Sequence, residues 1–205
     1  MSDVRVDDSR SDRYPLRRRE VVAALLADTE ELLIVTGLGA PSWDAAAAGD
    51  RDRTFPLWGA MGGAVSMGLG LALARPQDRV LVLTGDGELL MGLGSLSTVG
   101  SQQPANLAVV VLDNERYGET GGQRTHTARH TDLAAVAAAC GWPSTWTVSE
   151  QTAADELPAR LWSERGPRLA VVKIAAANEP LVMPPRDGTW LKERFRRALQ
   201  VAPHS

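Results

Sequence analysis

Two polar positions in this sequence sit at the ends of apolar runs. Val80–Leu83 leads into Thr84-Gly85-Asp86-Gly87, and Leu107–Leu112 leads into Asp113-Asn114, about 28 residues beyond Asp86. A helical pattern occupies the interval from Glu88 to about Ser101, so the order is strand, helix, strand. Such a unit returns its second strand parallel to the first. Asp86 and Asn114 are therefore expected at one carboxyl edge of a sheet, where open α/β folds bind ligands. Gly85 and Gly87 let a ligand approach the backbone, and the free N–H groups of the opening helix favour an anion. Asp86, however, brings a carboxylate to the same place, and two like charges about 4 Å apart repel by about 4 kcal/mol at an effective dielectric of about 20. A divalent cation between them removes the conflict. Mg²⁺ suits the donors on offer: one carboxylate, one amide oxygen and a nearby backbone carbonyl, with phosphate oxygens and water completing the shell.

Gly-Asp-Gly, the helix and strand that follow, and Asn114 resemble the thiamin-diphosphate and Mg²⁺ motif of thiamin-dependent enzymes. The resemblance implies Asp86 and Asn114 as side-chain metal ligands, the Arg116 carbonyl as the third ligand, and the backbone around Gly85, Gly87 and Glu88 at the diphosphate. It departs from the motif at one point, where Asp113 stands in place of the first of two asparagines. Leu38 and Gly39, in the turn-rich segment after the strand Leu32–Thr36, match the loop that touches the diphosphate. In the Gly59-Ala60-Met61-Gly62 segment, the Gly59 carbonyl would take the aminopyrimidine's exocyclic amine and Met61 would bend the cofactor; these two are the catalytic candidates within this chain. Tyr117, Gly118, Glu119 and Thr120, with Gln123, lie in a long segment, Glu115–His130, that packs over the diphosphate in the resembled family. Arg124, His126, Arg129 and His130 add cationic or protonatable groups that could meet an anionic substrate.

The strings YGETGGQRTHT and MPPRDGTWLKERFRRAL narrow the resemblance to the phosphonopyruvate and sulfopyruvate decarboxylase group, over roughly Leu32 to Leu199. That group implies thiamin diphosphate and Mg²⁺ as cofactors, a small anionic 2-oxo acid as substrate, and CO₂ release. The activating glutamate lies on a pyrimidine-binding domain, for which a chain of this length leaves no room. The expectation is therefore a partner chain that supplies it, in a hetero-oligomer with two copies of each. Alternatives are a carboligase of the acetolactate-synthase type, a subunit of a 2-oxo acid oxidoreductase, and a cofactor-binding or regulatory subunit without turnover.

The elements that must position these residues follow from patterning. Residues 1–14 are polar and aperiodic and read as a disordered tail, 15–200 as one domain and 201–205 as a C-terminal tail. Helices are expected over Leu16–Thr29, Gly59–Ala74, Thr131–Ala139, Glu150–Arg165 and Trp190–Leu199, with further strands over Ser144–Val148 and Leu169–Ala175. Gly62, Gly63, Gly68 and Gly70 each cost helix stability, so close backbone packing should explain them. The expected fold is α/β, doubly wound, with a mainly parallel sheet and helices on both faces. With 205 residues, a formal net charge of −3 and a single cysteine, Cys140, the chain offers no basic footprint for nucleic acid, no disulfide framework and no iron–sulfur ligand set. No apolar run reaches the about 20 residues of a membrane span, and no secretory signal pattern opens the sequence, which fits the cytoplasm. Arg186, held in a proline-rich turn, reads as a packing residue.

Overall fold

Eight strands and eight helices follow one another in the computed structural model, which describes residues 13–200 apart from positions 28 and 58. The strands are β1 Leu33–Thr36, β2 Thr54–Pro56, β3 Val80–Gly85, β4 Leu107–Asp113, β5 Arg116–Tyr117, β6 Gln123–Arg124, β7 Ser144–Val148 and β8 Arg168–Lys173. The helices are α1 Arg18–Leu26, α2 Ala40–Ala47, α3 Ala64–Ala74, α4 Asp86–Met91, α5 Ser95–Gln102, α6 Leu133–Ala139, α7 Gln151–Ser163 and α8 Gly188–Gln200. Six strands form one sheet in the order β2-β1-β3-β4-β8-β7, every neighbouring pair parallel. The expected doubly wound α/β fold is what forms.

Both faces of the sheet are covered, which is why its central strands are apolar throughout instead of alternating. Leu81, Leu83, Ala108, Val110 and Leu112 point to the face packed by α1, α2 and α7, whereas Val80, Val82, Leu107, Val109 and Val111 point to the face packed by α3, α5, α6 and α8. The chain runs from β1 outward to β2 and then returns to β3 on the other side of β1. The loops after β1 and β3 therefore diverge, and a crevice opens at their carboxyl ends. Register places Gly85 beside Leu112, so the residues that follow each strand, Asp86 and Asp113-Asn114, leave the sheet side by side.

The differences from expectation have local causes. Helix α1 starts at Arg18 rather than Leu16, because the Leu16 carbonyl accepts the Ala175 N–H at 2.9 Å and the Leu16 side chain is buried in the core. Helix α3 starts at Ala64 rather than Gly59, since Gly62 adopts φ +87° and interrupts any helix there. The helical stretch after Asp86 divides at Gly92–Gly94. A Cβ on Gly92 would collide with the Gly62 carbonyl, so the two glycines meet backbone to backbone. Gly68 packs against Val82 of the sheet, while Gly70 faces open space and has no packing reason. Segment 115–130 is a short β5–β6 hairpin with one 3₁₀ turn, Gly118–Thr120, inside its loop and a second, His126–Ala128, after it. Of the expected N-terminal tail, residues 1–12 lie outside the described residues, as do 201–205. Tyr14 is described, and its hydroxyl donates to Glu115 Oε1 at 2.9 Å. Among the described residues, no helix is long and apolar enough to cross a membrane.

Candidate functional site

A cavity of about 170 Å³ opens at the carboxyl edge, between the loops that leave β1, β3 and β4. Of the residues singled out from sequence, Gly85, Asp86, Gly87 and Glu88 line it from β3 and α4; Asn114, Arg116 and Tyr117 line it from β4 and β5. Leu38, Met61, Gly118, Glu119 and Thr120 complete the expected set within its wall. Gly39 stands just outside, at φ +77° ahead of α2, where a Cβ would lie 2.7 Å from Glu119 Oε1. Gly59 is exposed and away from the cavity. Gln123, Arg124, His126, Arg129, His130 and Arg186 do not line it either; His126 Nδ1 lies 3.5 Å from the Tyr117 hydroxyl.

Asp86 is 2% exposed and its position is over-determined. The Thr125 hydroxyl donates to Asp86 Oδ2 at 2.5 Å and the Thr127 hydroxyl lies 3.3 Å from the same atom, which leaves Oδ1 clear of both threonines. Burial first, and the neighbouring Asp113 second, push the Asp86 carboxyl up from 3.8 to about 7. Asn114 Oδ1 accepts the Arg116 N–H at 2.9 Å, a local turn that fixes the amide oxygen and leaves it a second lone pair.

Glu88, though acidic and in the cavity wall, is 4% exposed and committed to structure. Its carboxylate accepts the Thr84 hydroxyl and, at 3.4 Å, the Ala64 N–H, and a Cβ on Gly37 would collide with it. Burial raises its pKa. Glu88 thus ties together the exits of β1 and β3 and the start of α3. Glu119 lies over Gly39 with its carboxyl raised by burial, against the pull of Arg18.

The donor set fits a hard divalent cation bound together with a phosphate. Among the described residues no group of three or more His, Cys, Asp or Glu side chains could hold a metal. With Glu88 committed to structure, the cavity offers beside the strand ends the Asp86 carboxylate and the Asn114 amide oxygen, a partial set of the sort that Mg²⁺ completes with further oxygens from backbone, phosphate and water. At Gly87 a Cβ would meet the Tyr117 ring at 2.7 Å, so this position keeps its backbone free of any side chain.

Several residues with a role here carried no motif in the sequence. Arg18 lines the cavity with its guanidinium held 2.5 Å from the fully buried Asp44. Thr125 holds Asp86, and Thr127 holds Asp113 beside it. Lys173, at the end of β8, lies 2.7 Å from Asp113 Oδ2 and 3.1 Å from Glu115 Oε1. Its one available signal was rarity, since Lys173 and Lys192 are the only lysines in a chain otherwise served by arginine.

Residues 44–174 match the family model described as thiamine pyrophosphate enzyme, C-terminal TPP binding domain. The chain is 38% identical to the sulfopyruvate decarboxylase subunit beta of Methanocaldococcus jannaschii, over 91% of this chain and 98% of the relative. It is 36% identical to the phosphonopyruvate decarboxylase of Streptomyces viridochromogenes, over 95% of this chain but 49% of that protein. Among solved structures, benzoylformate decarboxylase from Polynucleobacter necessarius superimposes with a TM-score of 0.63 over 82% of this chain and 34% of its own, at 22% identity, a likeness of fold.

Proposed function

The chain belongs to the thiamine pyrophosphate enzyme family through its TPP-binding domain, and on that premise we propose that it is the cofactor-binding subunit of a thiamin-diphosphate- and Mg²⁺-dependent decarboxylase. Its substrate is a small anionic 2-oxo acid, 3-sulfopyruvate or 3-phosphonopyruvate. The observation that carries this reading is the meeting of Asp86, Asn114 and Arg116 in the wall of one cavity at the switch point of the sheet. Similarity to both a sulfopyruvate and a phosphonopyruvate decarboxylase supports the substrate class.

Thiamin diphosphate, when bound, supplies the carbon nucleophile for addition to a 2-oxo acid and the sink for the electron pair freed as CO₂ leaves. This chain binds and orients. Asp86, Asn114 and the Arg116 carbonyl would hold Mg²⁺, the backbone at Gly87 and Glu88 would meet the diphosphate, and Leu38 and Gly39 would approach it from the β1 side. Thr125 keeps the Asp86 carboxylate in one rotamer and Thr127 does the same for Asp113, so little ordering is left for the moment of binding. Met61 lines the cavity and is 37% exposed, placed to serve as an apolar prop for the cofactor.

The activating glutamate comes from a partner subunit carrying a pyrimidine-binding domain, in an assembly with two copies of each chain. Two observations support a shared site: the name subunit beta borne by a relative matched over 98% of its length, and a longer relative of which this chain spans about half. A third is size, because about 170 Å³ falls below the about 300–1,000 Å³ of a complete small-molecule site. The single free Cys140 fits a cytoplasmic setting.

The test is CO₂ release from each acid by the chain purified with its partner. The expected result is release from at least one of them with formation of the matching acetaldehyde. An assembly that retains the cofactor yet releases CO₂ from neither overturns the substrate assignment, and a new carbon–carbon bond in place of the aldehyde would make it a carboligase.

A further inference from the structure

Position 113 is where this sequence leaves the two-asparagine pattern, and the structure couples that departure to a second residue. Asp113 is 1% exposed. Its Oδ1 accepts the Glu115 N–H at 3.0 Å and the Thr127 hydroxyl at 2.8 Å, while its Oδ2 faces the Lys173 ammonium at 2.7 Å. The same ammonium donates to Glu115 Oε1 at 3.1 Å. One cation therefore bridges the residues on both sides of Asn114. Between them the backbone is under constraint, since Glu115 adopts φ +59°, a left-handed conformation that side chains bearing a Cβ rarely take. That turn sends the Asn114 amide and the Arg116 segment into the cavity.

We propose that Lys173 is a positioning residue for the metal arm of the site: by binding Asp113 and Glu115 together it holds the left-handed turn that presents Asn114 and the Arg116 carbonyl to Mg²⁺. An asparagine at 113 would reproduce the accepting oxygen Oδ1, but it would aim an amide donor at the ammonium. An apolar residue at 173 would leave the Asp113 carboxylate buried without a cation, beside the equally buried Asp86. Neither residue is exchangeable alone, so aspartate at 113 and lysine at 173 form a unit, and the compact ammonium reaches both carboxylates from the end of β8. This inference rests on the reading of Asp86 and Asn114 as metal ligands.

The experiment is a double-mutant cycle on the assembled complex, reading the Mg²⁺ concentration needed for half-maximal thiamin diphosphate retention, with kcat at saturating Mg²⁺ as a second readout. Lys173→Met is expected to raise that concentration at least tenfold while kcat at saturating Mg²⁺ stays within about threefold. Asp113→Asn/Lys173→Met is expected to need at least threefold less Mg²⁺ than Lys173→Met alone, because the unpaired carboxylate is gone. An unchanged Mg²⁺ requirement in Lys173→Met overturns the proposal, as does a double variant that needs as much Mg²⁺ as Lys173→Met or more. If Lys173→Met does not assemble, Lys173→Gln carries the comparison, with the same direction expected and parity with the parent overturning it. Failure of all three variants to assemble would make Lys173 a folding residue and overturn it too. Asp86→Ala separates the two levels: retention that remains Mg²⁺-dependent in that variant sinks the metal-site reading itself, whereas loss there with no effect at Lys173 sinks only the role given to Lys173.

Discussion

The two ends of the cavity are built differently. At the β3–β4 end, Asp86 and Asp113 are almost wholly buried and fixed by threonine hydroxyls and by the Lys173 ammonium. At the Met61 end, the methionine is 37% exposed, Gly59 lies open, and the segment from Gly59 to Gly63 is held through backbone: Gly62 against Gly92, and the Gly63 N–H on the Ala60 carbonyl. The contrast teaches where this chain's task stops. An arrangement finished in advance suits a metal and a diphosphate, whose charges need fixed partners; an open apolar lip suits a surface that another subunit completes.

The largest expected effect breaks the first end. Asp86→Ala should lower Mg²⁺-dependent cofactor retention by at least about 100-fold, the upper end of the about 10–100-fold lost when a residue that merely supports a metal ligand is removed. The fold should survive, because the buried carboxylate costs stability in the metal-free protein; equilibrium dialysis with thermal unfolding checks both. Next comes the join between the ends. Gly92→Ala would drive a Cβ into the Gly62 carbonyl, and neither backbone has a side chain that could move aside. A loss of about 2 kcal/mol or more is expected, lowering Tm by roughly 4–8 °C, read by calorimetry.

A smaller effect is a pH dependence confined to the first end. In the metal-free protein Asp86 titrates near 7 against 3.8 in an unperturbed chain, so the folded state holds a proton between those values that the unfolded state has lost. The sign follows: stability from this group falls as pH rises from about 4 to about 7, by up to about 1.4 kcal/mol per pH unit, and is flat above that. Unfolding curves with chelator present should show this slope in the parent and lack it in Asp86→Asn. The smallest change is expected at the lip. Met61→Ala, at a partly exposed position, should cost about 0.5 kcal/mol of stability or less. Turnover should fall several-fold more than cofactor affinity, and equal losses in both would mean ordinary packing damage.

How much of this was legible beforehand follows the same division. The sheet and the Asp86–Asn114 arm could be read because apolar runs ending in Gly-Asp-Gly and Asp-Asn are local patterns with one geometric outcome. Lys173 could not, since it reaches Asp113 only through the parallel pairing of β4 with β8, some 60 residues apart in sequence. Thr125 and Thr127 were hidden for the same reason: they arrive over Asp86 because a hairpin folds back, and nothing in a threonine announces that. The Gly59–Ala74 helix was over-extended because glycines were weighed as helix residues, whereas Gly62 at positive φ belongs to a turn. Glu88 and Arg18 show the remaining limit, as burial turned one acidic candidate into a structural clasp and brought a cation that no motif marked into the cavity wall.

The central claim is most directly tested by locating the ion. Crystals of the assembled complex grown with thiamin diphosphate and Mn²⁺ in place of Mg²⁺ would give its position from anomalous scattering. The account predicts one ion coordinated by an Asp86 carboxylate oxygen, Asn114 Oδ1 and the Arg116 carbonyl, at about 2.0–2.3 Å, with the diphosphate completing its shell. An ion elsewhere, or a diphosphate bound away from Gly87 with Asp86 and Asn114 unliganded, would contradict it.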